Sequence, residues 1–206
     1  MQIGCARTRC TLRLLAVFLS VLKFTAGLTT QANIEIFNTH KALGQCPTFT
    51  PLSTLTKTDI VGIWHVYQQS DNSLENSWTC KNLVYSAISN DFTYNFRVNN
   101  LATSYTGTYG VNTAGAGIIS VALRYQLALG ADSFGNVNQF VVAADATKYL
   151  IIRACTNFGL FNQQYVYVLT RQTSPDASTI TAINTALATA GVQAAQLYTV
   201  TQTGCT

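Results

Sequence analysis

Apolar and polar residues alternate in short runs along most of the chain. The runs fall at 61–69, 80–88, 92–98, 103–111, 118–126, 138–143, 148–155 and 164–171. Turn-forming stretches separate them, among them Asn90-Asp91, Asn112–Gly117 and Gly130–Asn136. Period-2 alternation is the mark of strands with one buried face, and many such strands at even spacing predict a sandwich or a closed barrel. The period changes once. Over 176–190 the apolar residues Ile180, Ile183, Leu187 and Ala190 recur at steps of three to four, with Pro175 before them and Gly191 after. That spacing predicts one amphipathic helix behind the last strand. Leu197–Val200 reads as a short final strand.

The start of the chain has a different character. Arg7, Arg9 and Arg13 precede an apolar core, Leu14–Leu22, and small residues lead to Gly27. This is the layout of a secretory signal peptide over 1–27. The apolar core is far short of the ~20 residues that span a bilayer, and no later segment is long enough. The order therefore predicts a secreted, extracellular protein: a signal over 1–27, a polar irregular arm over 28–43, and one domain over 44–206.

Composition sharpens this. At 48% hydrophobic and 10% charged, the 206 residues can bury a core, and an aromatic content of 11% favours strands. The formal charge of +4 includes Arg7, Arg9, Arg13 and Lys23. Without them the basic and acidic residues balance, and no basic patch points to nucleic acid. Beyond the signal remain Cys46, Cys80, Cys155 and Cys205. In an exported chain these read as two disulfides, with three pairings open. A zinc site fails on spacing, since there is no C-x-x-C pair and only His40 and His65 could assist. No metal and no cofactor is expected.

Three local motifs then stand in order: Gly62-Ile63-Trp64 opening the first strand, Asp145 and Tyr149 flanking the turn before the seventh, and Arg171 closing the eighth. With Leu74-Glu75-Asn76 ahead of Cys80 and Tyr198–Thr201 ahead of Cys205, the chain resembles the lipocalins over about 44–206. Within them it is most similar to the apolipoprotein D and insect bilin-binding branch. Ala144 and Ala146 depart from the second motif. The resemblance implies an all-β fold, an eight-stranded antiparallel up-and-down barrel with one C-terminal helix packed outside. It also implies disulfides Cys46–Cys155 and Cys80–Cys205. Gly62, Trp64, Asp145 and Arg171 become barrel-closing residues, with the Arg171 guanidinium over the Trp64 indole. Gly62 would let the incoming segment approach closely.

Alternation converts the closure into an expected interior. If Trp64 points inward, so do Val66 and Gln68. The same parity gives Leu83, Tyr85 and Ala87, then Tyr94 and Phe96, Leu150 and Ile152, and Tyr165 and Tyr167. Such a cavity is apolar with hydroxyl handles. The resemblance implies a ligand such as a bilin, carotenoid, retinoid, sterol or fatty acid. For an anionic ligand the cations considered are Arg97, Arg124, Lys148 and Arg153. His65 should face outward.

No nucleophile elbow, zinc-protease helix or phosphate loop is present. No close carboxylate pair is evident, and all four remaining cysteines are spoken for by disulfides, so no catalysis is expected. The expected function is a secreted carrier of a small hydrophobic molecule. The alternative is a barrel filled by its own side chains that serves as an extracellular interaction or assembly module, alone or with another lipocalin.

Overall fold

The computed structural model describes residues 41–71, 75–112, 117–127, 130–133 and 137–205, with side chains left out at 41 and 123–133. The segment 1–27, read as a signal peptide, and most of the arm lie outside the described residues. The eight expected strands are present as β2 (Gly62–Ser70), β3 (Thr79–Tyr85), β4 (Asp91–Val98), β5 (Leu101–Val111), β6 (Ile118–Leu127), β8 (Val137–Asp145), β9 (Tyr149–Phe158) and β10 (Phe161–Thr170). All pair antiparallel in that order, and β10 pairs back onto β2, which closes the ring. Tight turns drive the up-and-down path. Asn99 and Asn100 both take positive φ, at 49° and 66°, as a two-residue hairpin between right-twisted strands requires.

Three short strands and one helix add to the ring. β1 (Lys41–Leu43) lies on β10, so the expected irregular arm is ordered at its end. β7 (Gly130–Ser133) folds back on β6, where a turn was expected. β11 (Leu197–Thr199) lies on β2. A single-turn helix, α1 (Lys57–Ile60), precedes β2, and the sequence pattern gave no sign of it.

The expected helix is α2 (Ala177–Thr189). Asp176 caps it by accepting from the Thr179 backbone N–H at 2.7 Å, and its buried face is Thr179, Ile183 and Leu187. That face packs on Ile151, Val166 and Val168, the outward residues of β9 and β10. A second, larger core fills the barrel, from Ile60 and Trp64 up to Phe96. Inner and outer residues of β9 and β10 thus alternate between two cores, which is why these strands read as nearly continuous apolar runs.

The described segments before β2 and after β11 are each tied to the barrel by a disulfide, as the resemblance implied. Cys46 bonds Cys155 and Cys80 bonds Cys205. The incoming segment also threads between strands. Leu52 donates to the Val141 carbonyl at 2.8 Å, and the Gly117 N–H donates to Leu52. A Cβ on Gly117 would sit 2.9 Å from the Leu52 carbonyl oxygen, so only glycine fits there. The outgoing segment mends a gap. β3 pairs with β2 only from Gly62 to His65. Above that level the C-terminal chain enters: Val200 donates to Tyr67, Thr201 accepts from Cys80, and the Gln202 amide bridges the Val66 and Lys81 carbonyls at 2.9 Å each. Backbone groups that the splayed strands leave free are satisfied by this segment.

Candidate functional site

The floor of the barrel is built from the motif residues. Trp64 is fully buried, and its indole N–H donates to the Ile60 carbonyl at 2.7 Å. The Arg171 guanidinium lies 3.5 Å from the centre of the indole ring. It donates to the carbonyls of Val61 (3.0 Å), Ile63 (3.1 Å) and Ala146 (3.0 Å). One planar cation therefore ties the entry to β2, the β8–β9 turn and the indole together. Gly62 has φ of +99°, and a Cβ there would lie 3.2 Å from Arg171 Nη1. Its role is to admit that guanidinium; the close approach of an incoming segment falls to Gly117. Asp145 shapes the turn beside it, accepting from the Thr147 N–H (2.9 Å) and hydroxyl (2.6 Å), bonds that hold its carboxyl below the usual range.

The walls follow the expected parity at nine of eleven positions. Val66, Leu83, Tyr85, Tyr94, Phe96, Leu150 and Ile152 belong to the barrel core, and Tyr167 packs against it. Tyr165 shares the inward parity of Tyr167 and senses the charge of Glu75. Gln68 does not conform. A bulge between Leu169 and Val168 sets Gln68 opposite Val168, which packs under α2. Gln68 therefore lies on the outer face, and Gln69 takes the inner one. The extra residue of a bulge reverses parity beyond it. Ala87 is exposed because β3 ends at Tyr85.

Towards the open end the interior turns polar and aromatic together. Trp78, from the β2–β3 connection, stacks on Phe96 with centroids 4.0 Å apart and planes 9° apart. Tyr94 and Tyr105 flank this pair. Lys81 points inward beneath it, fully buried. Its ammonium donates to Gln69 Oε1 (2.7 Å) and the Glu75 carbonyl (2.6 Å), and lies 3.5 Å from Glu75 Oε2. Tyr94 donates to the same carboxylate at 2.9 Å. Burial draws the Lys81 amine down to about 8, against the opposing pull of Glu75. Burial, and then the Glu75 charge, raise the Tyr94 phenol.

Of the cations singled out in the sequence, none whose side chain is described supplies this interior. Arg153 faces outward, donating to the Ala190 carbonyl at 3.0 Å and covering the Phe49 ring at 4.2 Å. Arg97 donates to Gly204 beside the second disulfide. Lys148 is exposed at the closed end, and the Arg124 side chain lies outside the described residues. His65 faces outward, as expected, beside Asn82 and Asn95. Lys81 itself was findable: it has the parity of Leu83 and Tyr85. Glu75 and Trp78 sit in a connection where alternation carries no signal. Among the described residues no group of acidic, histidine or cysteine side chains is arranged to hold a metal, and no helix is long and apolar enough to cross a membrane.

No protein-family model and no curated protein sequence matches the chain. Solved structures do. Insecticyanin from the tobacco hornworm Manduca sexta superposes with a TM-score of 0.66 at 16% identity, over 78% of this chain and 87% of that one. The cockroach allergen Per a 4 gives 0.61 at 20% identity, over 78% and 97%. A biogenic amine-binding protein gives 0.59 at 15% identity, over 74% and 85%. At these identities the likeness is one of fold, and the fold is lipocalin-like.

Proposed function

We propose that this chain is a member of the lipocalin family, exported through its N-terminal signal, that carries or sequesters a small hydrophobic molecule inside the barrel. The observation that carries the proposal is the pairing of a sealed floor with an apolar, tyrosine-bearing inner wall. Trp64 under Arg171 excludes water from one end. Val66, Leu83, Leu150 and Ile152 offer no hydrogen bonds to water, so an apolar ligand that displaces it releases free energy of about 25 cal/mol per Å² buried. Tyr94, Tyr165 and Tyr167 provide hydroxyls at the upper level. The similarity in fold to a biogenic amine-binding protein agrees with small-molecule binding as the use of the barrel. Two disulfides suit an oxidising, extracellular setting. No catalytic role is proposed.

One observation favours the alternative, a filled barrel acting as an assembly module. Trp78 already occupies the upper interior against Phe96. In the carrier reading this indole swings aside or stacks on the ligand. Native mass spectrometry of the protein purified from the medium of secreting cells separates the two. A carrier shows an added mass of a few hundred daltons that denaturation removes. A filled barrel runs at its bare mass after exposure to apolar compounds and forms oligomers.

A further inference from the structure

The upper interior holds two buried polar groups that no protein atom engages in hydrogen-bond geometry. Lys81 spends its ammonium on Gln69 Oε1, the Glu75 carbonyl and the Glu75 carboxylate. This fixes the Gln69 amide, because a flip would set its NH2 against the ammonium. The Gln69 Nε2 group is then buried with no partner in hydrogen-bond geometry, and so is the Tyr198 hydroxyl; the amide faces the phenol oxygen, which leaves the phenolic O–H and the second amide N–H to donate elsewhere. Gln69 is 1% exposed. The two residues are opposed across β2 and β11, so their side chains leave the sheet on the same side. That side is the interior, where the Lys81 ammonium lies 6.0 Å from the centre of the Tyr198 ring. Buried donors without acceptors are costly and mark a place where something else accepts.

We propose that Gln69 and Tyr198, backed by Lys81, form a subsite for the uncharged carbonyl oxygen of an apolar ligand. The proposal rests on the carrier reading and names the ligand class for it. A carbonyl oxygen has two lone pairs, one for the Gln69 amide N–H and one for the Tyr198 O–H. A carboxylate fits worse. Glu75 already neutralises Lys81 and accepts from Tyr94, so a second carboxylate meets a like charge in a poorly screened interior. An ammonium has no lone pair for the amide N–H or the phenolic O–H and would sit beside the Lys81 ammonium. A hydrocarbon leaves both groups unsatisfied.

The test is displacement of N-phenyl-1-naphthylamine from the full secreted protein at pH 7 by 2-undecanone, undecanoate and undecane. The expected result is binding of the ketone about tenfold or more tighter than either competitor, from two hydrogen bonds to otherwise orphaned groups. Tyr198→Phe narrows the ketone's preference over undecane to about threefold on the same scale, one hydrogen bond being left. Gln69→Leu acts in the same direction through the other donor. Undecanoate binding as tightly as the ketone overturns the subsite, as does a Tyr198→Phe variant that keeps the preference. Equal binding of ketone and undecane overturns the subsite while leaving the carrier reading in place. If the naphthylamine and all three competitors fail to enter, the carrier reading falls and the subsite with it.

Discussion

At the scale of single residues, two cations divide the work, a half-buried Arg171 and a wholly buried Lys81. Arg171 is a clasp. Its guanidinium stays charged and donates in a fixed plane to four backbone carbonyls beside the indole, those of Asp59, Val61, Ile63 and Ala146. Lys81 is different, since burial pulls its amine down to about 8. The folded chain releases this proton near pH 8 and the unfolded chain near 10.5, so between those values the unfolded state holds more protons and stability rises with pH. The Lys81 penalty is present in full below pH 8. Tyr85, Tyr94 and Tyr198, whose phenols burial raises, oppose the trend only once unfolded tyrosine ionises near pH 10. Urea midpoints measured at pH 7 and 9.5 should therefore show the wild type gaining on Lys81→Met by on the order of 1–2 kcal/mol. A gap that stays constant or widens against the wild type would contradict a strained ammonium. Parity made most inward residues legible from sequence; Lys81 was missed, though the same parity carried back from Leu83 reaches it. The outward placement of Gln68 was not legible, because a bulge leaves no mark in an alternating pattern.

At the scale of elements, local sequence preference explains the long strands and α2 but not the small pieces. β7 consists of Gly130, Ala131, Asp132 and Ser133, residues that favour turns; the free edge of β6 makes it a strand. α1 is too short for any period to register, and is held by Asp59 accepting from the Thr56 N–H and hydroxyl at 2.7 Å. The C-terminal segment is the clearest case of context. Its short apolar run predicted a strand, but only the splay of β2 from β3 gives it a place. The Cys80–Cys205 disulfide and the Gln202 bridge keep it there. The double variant Cys80→Ser, Cys205→Ser should lose about 2–5 kcal/mol of stability. Amide exchange should accelerate first over 197–205 and at the upper end of β3, before the floor responds. Uniform acceleration across the barrel would contradict a segment that mends one seam.

At the scale of the whole molecule, the barrel has a dry end and a polar-aromatic end. The floor is closed by residues far apart in sequence, Trp64 and Arg171, and that closure was legible because the motifs that carry it are local. The upper end was not. Its Trp78, Glu75 and Lys81 meet only once the ring closes, and the connection bearing two of them has no periodicity to read. On the carrier reading proposed above, this asymmetry would direct ligand entry past Trp78 and away from Trp64. The chain has two tryptophans, one at each end of the described interior. Fluorine NMR of protein labelled with 5-fluorotryptophan therefore reports both ends at once, with Trp78→Phe assigning the signals. On addition of a saturating apolar ligand such as N-phenyl-1-naphthylamine, the Trp78 resonance should shift while that of Trp64 stays fixed. Two unmoved resonances in the presence of excess ligand, or movement of Trp64 alone, would contradict a carrier that opens at the Trp78 end.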